Sequence, residues 1–380
     1  MDLDHILIPA VVFVIGILVV WLCVRRILSL QTKSYRTWRK VAERIFLSMT
    51  VLVVATVSSC SAFNAIALHH FRTLNPPPGE TYTVSGYRMH IYCTGSGSPT
   101  IILDAGLGND ALIWGGVQPE FAKTTRVCAY DRAGFGWSDA RMGPRDADHI
   151  AGELHDLLLK AKVSGPIVLM GHSIAGIYIR DYATRYSADV AGMVFVDGST
   201  PLQEQNPAFK AELAKNPPMW VEILLLRSAF IAGIPRLLGQ CSRPMPGLEA
   251  HAAKLVREDT CNVRAGAVVA ELDSIHESGL ETVHAGPYGT LPILIFSRDP
   301  AKMLSRKNSK EAVDSNNAWS QMQEDLKKLS TRSRRIIAKD STHYVHIDRV
   351  DLLKKEVPSF IEQIRGTVPE RTNYGSTITE

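Results

Sequence analysis

Patterns that mark several common functional classes are missing from this chain of 380 residues. It has neither an H-E-x-x-H nor a C-x-x-C spacing, and no internal repeat or low-complexity tract. After residue 72, its 34 Lys/Arg are matched by 35 Asp/Glu, so the large C-terminal part lacks the basic surface that nucleic acids require. We therefore expect no metal site, no cofactor and no nucleic-acid partner.

Charge is also missing from two long apolar runs near the N-terminus. Residues 6–24 contain no charged side chain. As a helix they would extend about 28 Å, close to the thickness of a bilayer core. Residues 45–68 are uncharged too, although they include Ser, Thr and Asn. We predict that residues 1–72 are a membrane anchor with two transmembrane helices. The alternatives are a buried core helix or a signal peptide for the first run, and a lipidation site at Cys60.

Charge and cysteine content indicate the side of the membrane. The segment between the two runs holds seven Lys/Arg, which predicts a cytoplasmic loop and a large domain on the periplasmic or extracellular side. The large domain contains an even number of cysteines, Cys93, Cys128, Cys241 and Cys261. This number is consistent with two disulfides in an oxidising compartment, and four free thiols are the alternative.

The rest of the chain reads as an α/β domain. After a proline-rich linker at residues 73–80, short apolar strands alternate with helical patterns, which predicts a doubly wound, mostly parallel sheet. Residues 200–288 interrupt this alternation with helical patterns, and we interpret them as a lid over the carboxyl edge of the sheet. The two parts of the core are then residues 81–199 and 289–366. Residues 367–380 are predicted to be a disordered tail.

A candidate nucleophile lies in the stretch "GHSIAG". Ser173 follows the strand-like "PIVLM" and precedes a helical pattern, which is the context that a nucleophile elbow requires. The backbone N–H of Ile174, at the start of that helix, is then the first donor to an oxyanion. A second donor is expected from Leu107, in "LDAGLG" after an earlier strand. The alternative for the serine stretch is an ordinary glycine-rich turn.

A serine nucleophile needs a base and a carboxylate that orients the base. His343 is the best-placed base, because it follows a late strand, and His346 is the alternative. We predict Asp299 as the acid, since it ends the strand that follows the lid. Asp197, which ends the preceding strand, is the alternative acid.

Four motifs in this order and spacing carry a family resemblance: "LDAGLG", "YDRAGFGWSD", "GHSIAG" and "THYVHID". Over roughly residues 80–365 the chain resembles the α/β-hydrolase superfamily, and within it bacterial esterase/lipase- and proline-iminopeptidase-like hydrolases. The resemblance implies that "YDRAGFGWSD" shapes the pocket. Two residues depart from the pattern, because Ala175 and Thr342 stand where glycine is frequent. In this fold the strands of Cys93 and Cys128 are neighbours, so we expect these to pair, and Cys241 to pair with Cys261.

The function expected from these residues is that of a membrane-anchored serine hydrolase. It would cleave a small-molecule carboxylic ester or amide through an acyl-enzyme, as carboxylesterases and lipases do. One alternative is a proline-iminopeptidase-like aminopeptidase, in which Glu271, Asp273 and Glu277 are candidates for holding a substrate amine. The other is a non-catalytic binding protein that retains the fold.

Overall fold

The computed structural model describes residues 7–32, 36–215, 219–242, 256, 265–305, 309–366 and 375–380. The chain divides into two compact units. One combines Met1–Pro76 with Trp220–Arg243 and Arg257–Ala265. The other comprises Pro77–Met219, Pro244–Val256 and Gly266–Glu380.

The first unit contains the two apolar runs as helices α1 (Ile8–Ser29) and α2 (Thr37–Leu74). Both helices are long and apolar enough to cross a membrane. The helix α1 extends beyond the predicted run at its C-terminal end, and α2 extends beyond its run at both ends. The two helices pack closely at Gly16, where a Cβ would lie 2.0 Å from the Ser58 hydroxyl oxygen.

The segment predicted as one lid is divided between the two units. Its residues Trp220–Arg243 belong with the N-terminal helices, and they include most of α7 (Met219–Ile231) and all of α8 (Ile234–Leu237). Asn64 of α2 donates to the Phe230 carbonyl at 3.0 Å and accepts from Arg236 at 2.9 Å. The described parts of the interval contain several helices, as predicted, but some of them pack on the N-terminal helices.

The second unit is built on a mostly parallel sheet, which confirms the predicted fold class. In the described residues nine strands have the order β1-β2-β4-β3-β5-β6-β7-β8-β9, with only the β1–β2 and β2–β4 pairs antiparallel. The strands are Glu80–Val84, Tyr87–Thr94, Thr100–Asp104, Val127–Tyr130, Ile167–His172, Val190–Val196, Ile293–Ser297, Ser333–Ile337 and Thr377–Thr379.

Amphipathic helices cover this sheet. In α4 (Ala147–Lys160) one apolar stripe faces the core, since Ile150, Leu154, Leu157 and Leu158 are each at most 3% exposed. The helices of this unit are α3 (Gln118–Phe121), α4 (Ala147–Lys160), α5 (Ala175–Arg185), α6 (Pro207–Leu213), α9 (Ala265–Asp273), α10 (Ile275–Thr282), α11 (Pro300–Leu304), α12 (Lys310–Asp325), α13 (Val345–Asp348) and α14 (Val350–Arg365).

The prediction of a disordered tail is wrong for the last residues of the chain. Thr377–Thr379 form β9, which pairs in parallel with β8. The physical reason is that β8 would otherwise present unpaired backbone groups at the sheet edge, and the β-branched Thr-Ile-Thr segment satisfies them. Lys327 also holds this segment through the Gly375 carbonyl at 2.7 Å. Residues 367–374 lie outside the described part of the chain.

The antiparallel pair β2–β4 carries a disulfide. Cys93 and Cys128 are direct cross-strand partners, and their sulfur atoms are bonded as predicted. Cys241 is disulfide-bonded as well, whereas its predicted partner Cys261 lies outside the described residues. Cys23 and Cys60 are free thiols in α1 and α2.

We predict that the Cys93→Ala/Cys128→Ala double variant loses about 4 kcal/mol of unfolding free energy, because the bridge closes a loop of 35 residues. Denaturant unfolding of the full chain in detergent measures this loss. The matched control is Cys60→Ala, which removes a free thiol and should leave stability unchanged. Equal stability of the double variant and the wild type would contradict a stabilising bridge.

Candidate active site

Ser173 lies in a sharp turn between the strand β5 and the helix α5. It adopts a left-handed backbone with φ 55°, a conformation that costs a non-glycine residue about 1–3 kcal/mol. Hydrogen bonds hold the turn: the Ser173 N–H donates to the Val196 carbonyl at 3.2 Å, and the Ser199 N–H donates to the Ser173 carbonyl at 2.7 Å. The strand–turn–helix context predicted for this serine is therefore present.

Small residues on both sides of Ser173 allow the turn to close. A Cβ at Gly171 would lie 2.9 Å from the carbonyl carbon and oxygen of Ala175 and 3.2 Å from its Cβ. Backbone atoms cannot move aside cheaply, so position 171 requires glycine. The methyl group of Ala175 is itself fully buried in the turn. The departure of position 175 from glycine is thus compatible with the elbow.

His343 connects Ser173 to a buried carboxylate. Its Nε2 lies 2.9 Å from the Ser173 Oγ, and its Nδ1 lies 2.6 Å from Asp197 Oδ2. An Nδ1–H that donates to the carboxylate leaves Nε2 with a lone pair directed at the hydroxyl. The three residues follow β5, β6 and β8, whose carboxyl ends share one edge of the sheet.

The prediction that Asp299 orients the histidine is wrong, and the alternative, Asp197, occupies that position. Asp299 caps α11, where its Oδ1 accepts from the Ala301 N–H at 2.9 Å and its Oδ2 accepts from the Asp340 N–H at 2.9 Å. Both carboxylate oxygens thus bind backbone groups. Asp197 is closer to the serine in the sheet, because β6 is the direct neighbour of β5 and β7 is one strand further away.

The Asp197 carboxylate is completely buried and fully hydrogen-bonded. Its Oδ1 accepts from the Arg298 N–H at 3.1 Å and from Trp319 Nε1 at 2.9 Å. Burial by itself raises the pKa of Asp197, but the hydrogen bond and charge of His343, the Arg298 charge and the Trp319 hydrogen bond outweigh it and hold the pKa below its usual value. The carboxylate is therefore ionised at neutral pH.

Two further histidines near the site are held neutral. His172 Nε2 lies 3.0 Å from the His343 carbonyl oxygen, to which it donates. Burial, followed by the charges of His346 and His343, lowers the pKa of His172 well below its usual value. His346, the alternative base, packs on the Trp114 ring, and burial together with His343 lowers its pKa to about 3. Of the histidines in the described residues, His343 alone lies within hydrogen-bond distance of the serine hydroxyl.

Two backbone N–H groups are available near the serine. In the described part of the chain, neither the Leu107 N–H nor the Ile174 N–H has a hydrogen-bond partner. Ile174 is the residue directly before α5, so the positive end of the helix dipole lies at its N–H. Free donors of this kind are what an oxyanion requires.

A buried arginine holds the loop that carries Leu107. Arg132 Nη1 donates to Asp104 Oδ1 at 2.7 Å, and Nη2 donates to the Gly106 carbonyl at 3.1 Å. The same guanidinium makes a two-point contact with Glu271 of α9, at 2.7 and 3.0 Å. Arg132 thereby connects the end of β3 to a helix from the predicted lid.

Because Glu271 is bound to Arg132, it is not free to hold a substrate amine, as the aminopeptidase alternative would require. Glu271 is fully buried against Arg132, whereas Asp273 and Glu277 are exposed at the surface. None of the three lines the cavity beside Ser173. Within the described ranges, no cluster of three or more His, Cys, Asp or Glu side chains is placed to bind a metal ion.

A cavity of about 440 Å³ opens beside Ser173 and His343. The strand ends supply Arg298 and Ser199, and the helices that follow β6 and β7 supply the remaining walls. Besides Ser173 and His343, the lining consists of Ser199, Gln203, Phe209, Glu212, Arg298, Met303, Leu304, Ala312, Ser315, Asn316 and Trp319. This size accommodates a small molecule.

A family model described as "Alpha/beta hydrolase family" matches residues 101–355. The matched range includes the three hydrogen-bonded residues Ser173, His343 and Asp197. The chain belongs to the alpha/beta hydrolase family. The match leaves out α1 and α2 and begins within β3.

Similar proteins extend over different parts of this alpha/beta hydrolase. The uncharacterized protein YbdG of Bacillus subtilis is 29% identical over 44% of this chain and 52% of its own length, so the chain spans about half of it. YqjL of the same organism is 26% identical over 71% of this chain and 86% of its own length. The solved structure of an esterase from Thermogutta terrifontis covers 76% of this chain and 99% of its own, with 18% identity and a TM-score of 0.53.

Sequence reasoning missed three residues of this alpha/beta hydrolase site. Arg132 belongs to "YDRAGFGWSD", which was expected to shape the pocket, but its own contact with the loop of Leu107, through the Gly106 carbonyl, was not foreseen. Trp319 and Arg298 contact Asp197 from α12 and from the end of β7. For Arg298, the sequence offered one indication of a role in the site, its position next to the predicted acid Asp299. For Trp319, the helical pattern of α12 offered none.

We predict that Gly171→Ala lowers both the melting temperature and the fraction of correctly folded protein, because its Cβ would collide with the Ala175 backbone. Thermal unfolding monitored by circular dichroism checks this. Gly152→Ala is the matched control: it lies inside α4 with open space around its Cβ, so it should stabilise by about 0.5–1 kcal/mol. A Gly171→Ala protein as stable as the control would refute the close packing of the elbow.

Proposed function

We propose that this protein is a membrane-anchored serine hydrolase that cleaves small carboxylic esters or amides through a Ser173–His343–Asp197 triad. The observation that carries the proposal is the continuous hydrogen-bonded chain from the Asp197 carboxylate through His343 to the Ser173 hydroxyl, at the wall of a cavity. A hydroxyl is a weak nucleophile at neutral pH, and an oriented imidazole is what activates it. Membership of the alpha/beta hydrolase family and the fold shared with an esterase support this reading.

In the acylation step, the Ser173 Oγ attacks the carbonyl carbon of the substrate while His343 Nε2 takes the hydroxyl proton. The carbonyl π electrons move to oxygen, and the N–H groups of Leu107 and Ile174 stabilise the resulting oxyanion. His343 then delivers the proton to the leaving oxygen or nitrogen, and the bond from the carbonyl carbon to that atom breaks. The ionised Asp197 stabilises the imidazolium and keeps its proton on Nδ1.

Deacylation repeats these steps with water. His343 Nε2 removes a proton from the water, whose oxygen attacks the acyl carbon bound to Ser173. Collapse of the second oxyanion returns the proton to Ser173 and releases the carboxylic acid. One histidine therefore serves as base and acid in both halves of the reaction.

The N-terminal unit supports an anchor in the membrane. Besides α1 and α2, the helix α7 packs in this unit and leaves Leu224, Leu225 and Leu226 more than half exposed. Apolar side chains in such numbers are stable in lipid rather than in water. The basic segment between α1 and α2 favours a cytoplasmic position, and the Cys93–Cys128 disulfide favours an oxidising compartment for the hydrolase unit. We place that unit on the non-cytoplasmic side.

A fluorophosphonate probe tests the nucleophile directly. The wild-type protein should become labelled, and both Ser173→Ala and heat-denatured wild type should not, because labelling needs a serine activated by its folded surroundings. Labelled protein on a gel, with circular dichroism to verify folding, gives the readout. An unlabelled but folded wild type would reject the serine hydrolase and favour the non-catalytic alternative.

Comparison of two isosteric variants tests the acid. Asp197→Asn should lower kcat by about 10⁴-fold, because the amide no longer holds the productive tautomer of His343 or stabilises the imidazolium. Asp299→Asn should leave kcat unchanged, and it should lower stability by about 1 kcal/mol through the weakened cap of α11. Short acyl esters supply the assay. A large kcat loss in Asp299→Asn alone would overturn the assignment.

A further inference from the structure

The cavity beside Ser173 contains a guanidinium group without hydrogen-bond partners. Arg298 follows β7, lines the cavity, and has a side chain that is only 13% exposed. Its backbone N–H donates to Asp197, but among the described residues its side-chain N–H groups donate no hydrogen bond, and its Nε is completely buried. Nε cannot be reached from the cavity, but Nη1 and Nη2 are not completely buried, so their N–H groups are available to an acceptor inside it.

The neighbours of Arg298 do not supply that acceptor. The nearest carboxylate oxygen, Asp197 Oδ2, is 3.8 Å from Nη1 and already accepts from His343 at 2.6 Å. The guanidinium carbon lies 4.7 Å from the centroid of the Trp319 ring. Contact with an aromatic face holds the guanidinium plane but satisfies none of its N–H groups.

The group keeps its positive charge in this position. Burial lowers the pKa of Arg298, whereas the charges of Asp197 and Glu212 raise it, and an arginine remains protonated at neutral pH. Glu212 also lines the cavity, yet among the described residues no salt bridge joins it to Arg298. The cation therefore has an ionic neighbour in Asp197, but its side-chain N–H groups make no hydrogen bond among the described residues.

The other polar groups of the cavity indicate a polar ligand as well. Asn316 is 5% exposed, and its Oδ1 is buried without a hydrogen-bond partner. Ser199, Gln203 and Ser315 add further hydroxyl and amide groups to the lining. Of the 13 residues that line the cavity, 8 are polar or charged, so a ligand with a polar group of its own fits this wall.

We propose that Arg298 is a specificity-determining residue that binds a carboxylate carried by the substrate, in addition to the ester or amide group that Ser173 attacks. The planar fork of a guanidinium matches the two oxygens of a carboxylate, and such charge-assisted pairs are stronger than neutral hydrogen bonds. The inference rests on the proposed hydrolase function and deepens it: the substrate class is that of half-esters of dicarboxylic acids, or esters of hydroxy acids.

The test compares matched carboxylate and carboxamide esters in a pH-stat assay of the full chain in detergent. One arm uses monomethyl succinate, glutarate and adipate, in which the carboxylate lies on the acyl side. The other uses 4-acetoxybutyrate, in which it lies on the alcohol side. Each is paired with the carboxamide of the same shape. The wild type should prefer the carboxylate in one arm by about 10- to 100-fold in kcat/KM, mainly through KM.

The Arg298→Met variant should lose this preference, measured as the ratio of kcat/KM for each carboxylate ester to that for its carboxamide, a ratio that an effect through Asp197 would leave unchanged. Lys302→Gln is the matched control, since it removes a positive charge from α11 outside the cavity lining and should keep the preference. Wild type without preference in either arm would overturn the inference, and so would an Arg298→Met variant that loses activity equally on both members of each pair. The second result would mean that Arg298 acts through Asp197.

The two proposals fail in different ways. Fluorophosphonate labelling of the same preparations reports on Ser173 without any carboxylate. If the wild type is labelled and cleaves the carboxamide esters without preference, only the role of Arg298 is refuted. If it is folded, unlabelled and inactive on every ester, the hydrolase function itself is refuted, and the carboxylate specificity that rests on it is refuted with it.

Discussion

The hydrogen bond between Asp197 and His343 is the interaction on which the rest of the site depends. It joins the end of β6 to the loop after β8 across the strand between them, and it sets which imidazole nitrogen faces Ser173. A carboxylate removed from water is stable only with compensating donors, and Asp197 has three: His343, Trp319 and the Arg298 backbone. These donors come from three separate segments, so the whole carboxyl edge of the sheet is organised around one charge.

The backbone is strained and closely packed around the Asp197 carboxylate and Ser173. Both Ser173 and Asp197 adopt left-handed backbone conformations, with φ 55° and 46°, at the ends of adjacent strands. Each conformation is unfavourable for a residue with a side chain, and the surrounding hydrogen bonds and the absence of a Cβ at Gly171 make it possible. The strain turns the hydroxyl and the carboxylate out of the sheet toward the same histidine. A flat continuation of the two strands would leave both groups in the core.

Two arginines near the site, Arg132 and Arg298, differ in their hydrogen-bond partners. Arg132 is fully satisfied: its partners are carboxylates and backbone carbonyls, and it fixes the loop of Leu107 against α9. Arg298 is also charged, but its side chain is 13% exposed against 2% for Arg132, and its side-chain N–H groups have no hydrogen-bond acceptor in the described structure. A guanidinium with an acceptor for each donor acts as a structural support, and one whose donors lack acceptors at a cavity wall is suited to a ligand. The difference between the two lies in their partners, since both arginines follow strands at the carboxyl edge of the sheet.

The sequence by itself determined the α/β class, the two apolar helices, the Cys93–Cys128 pairing in the implied fold, and the positions of Ser173 and His343. These features depend on local periodicity or on short motifs, which one stretch of chain expresses alone. Tertiary structure decided between Asp197 and Asp299, since both end a strand and only the strand order shows which one lies behind the histidine. It also ordered Thr377–Thr379 against β8 and placed Trp319 and Arg298 at the site. Such contacts join residues far apart in the chain, so no local pattern records them.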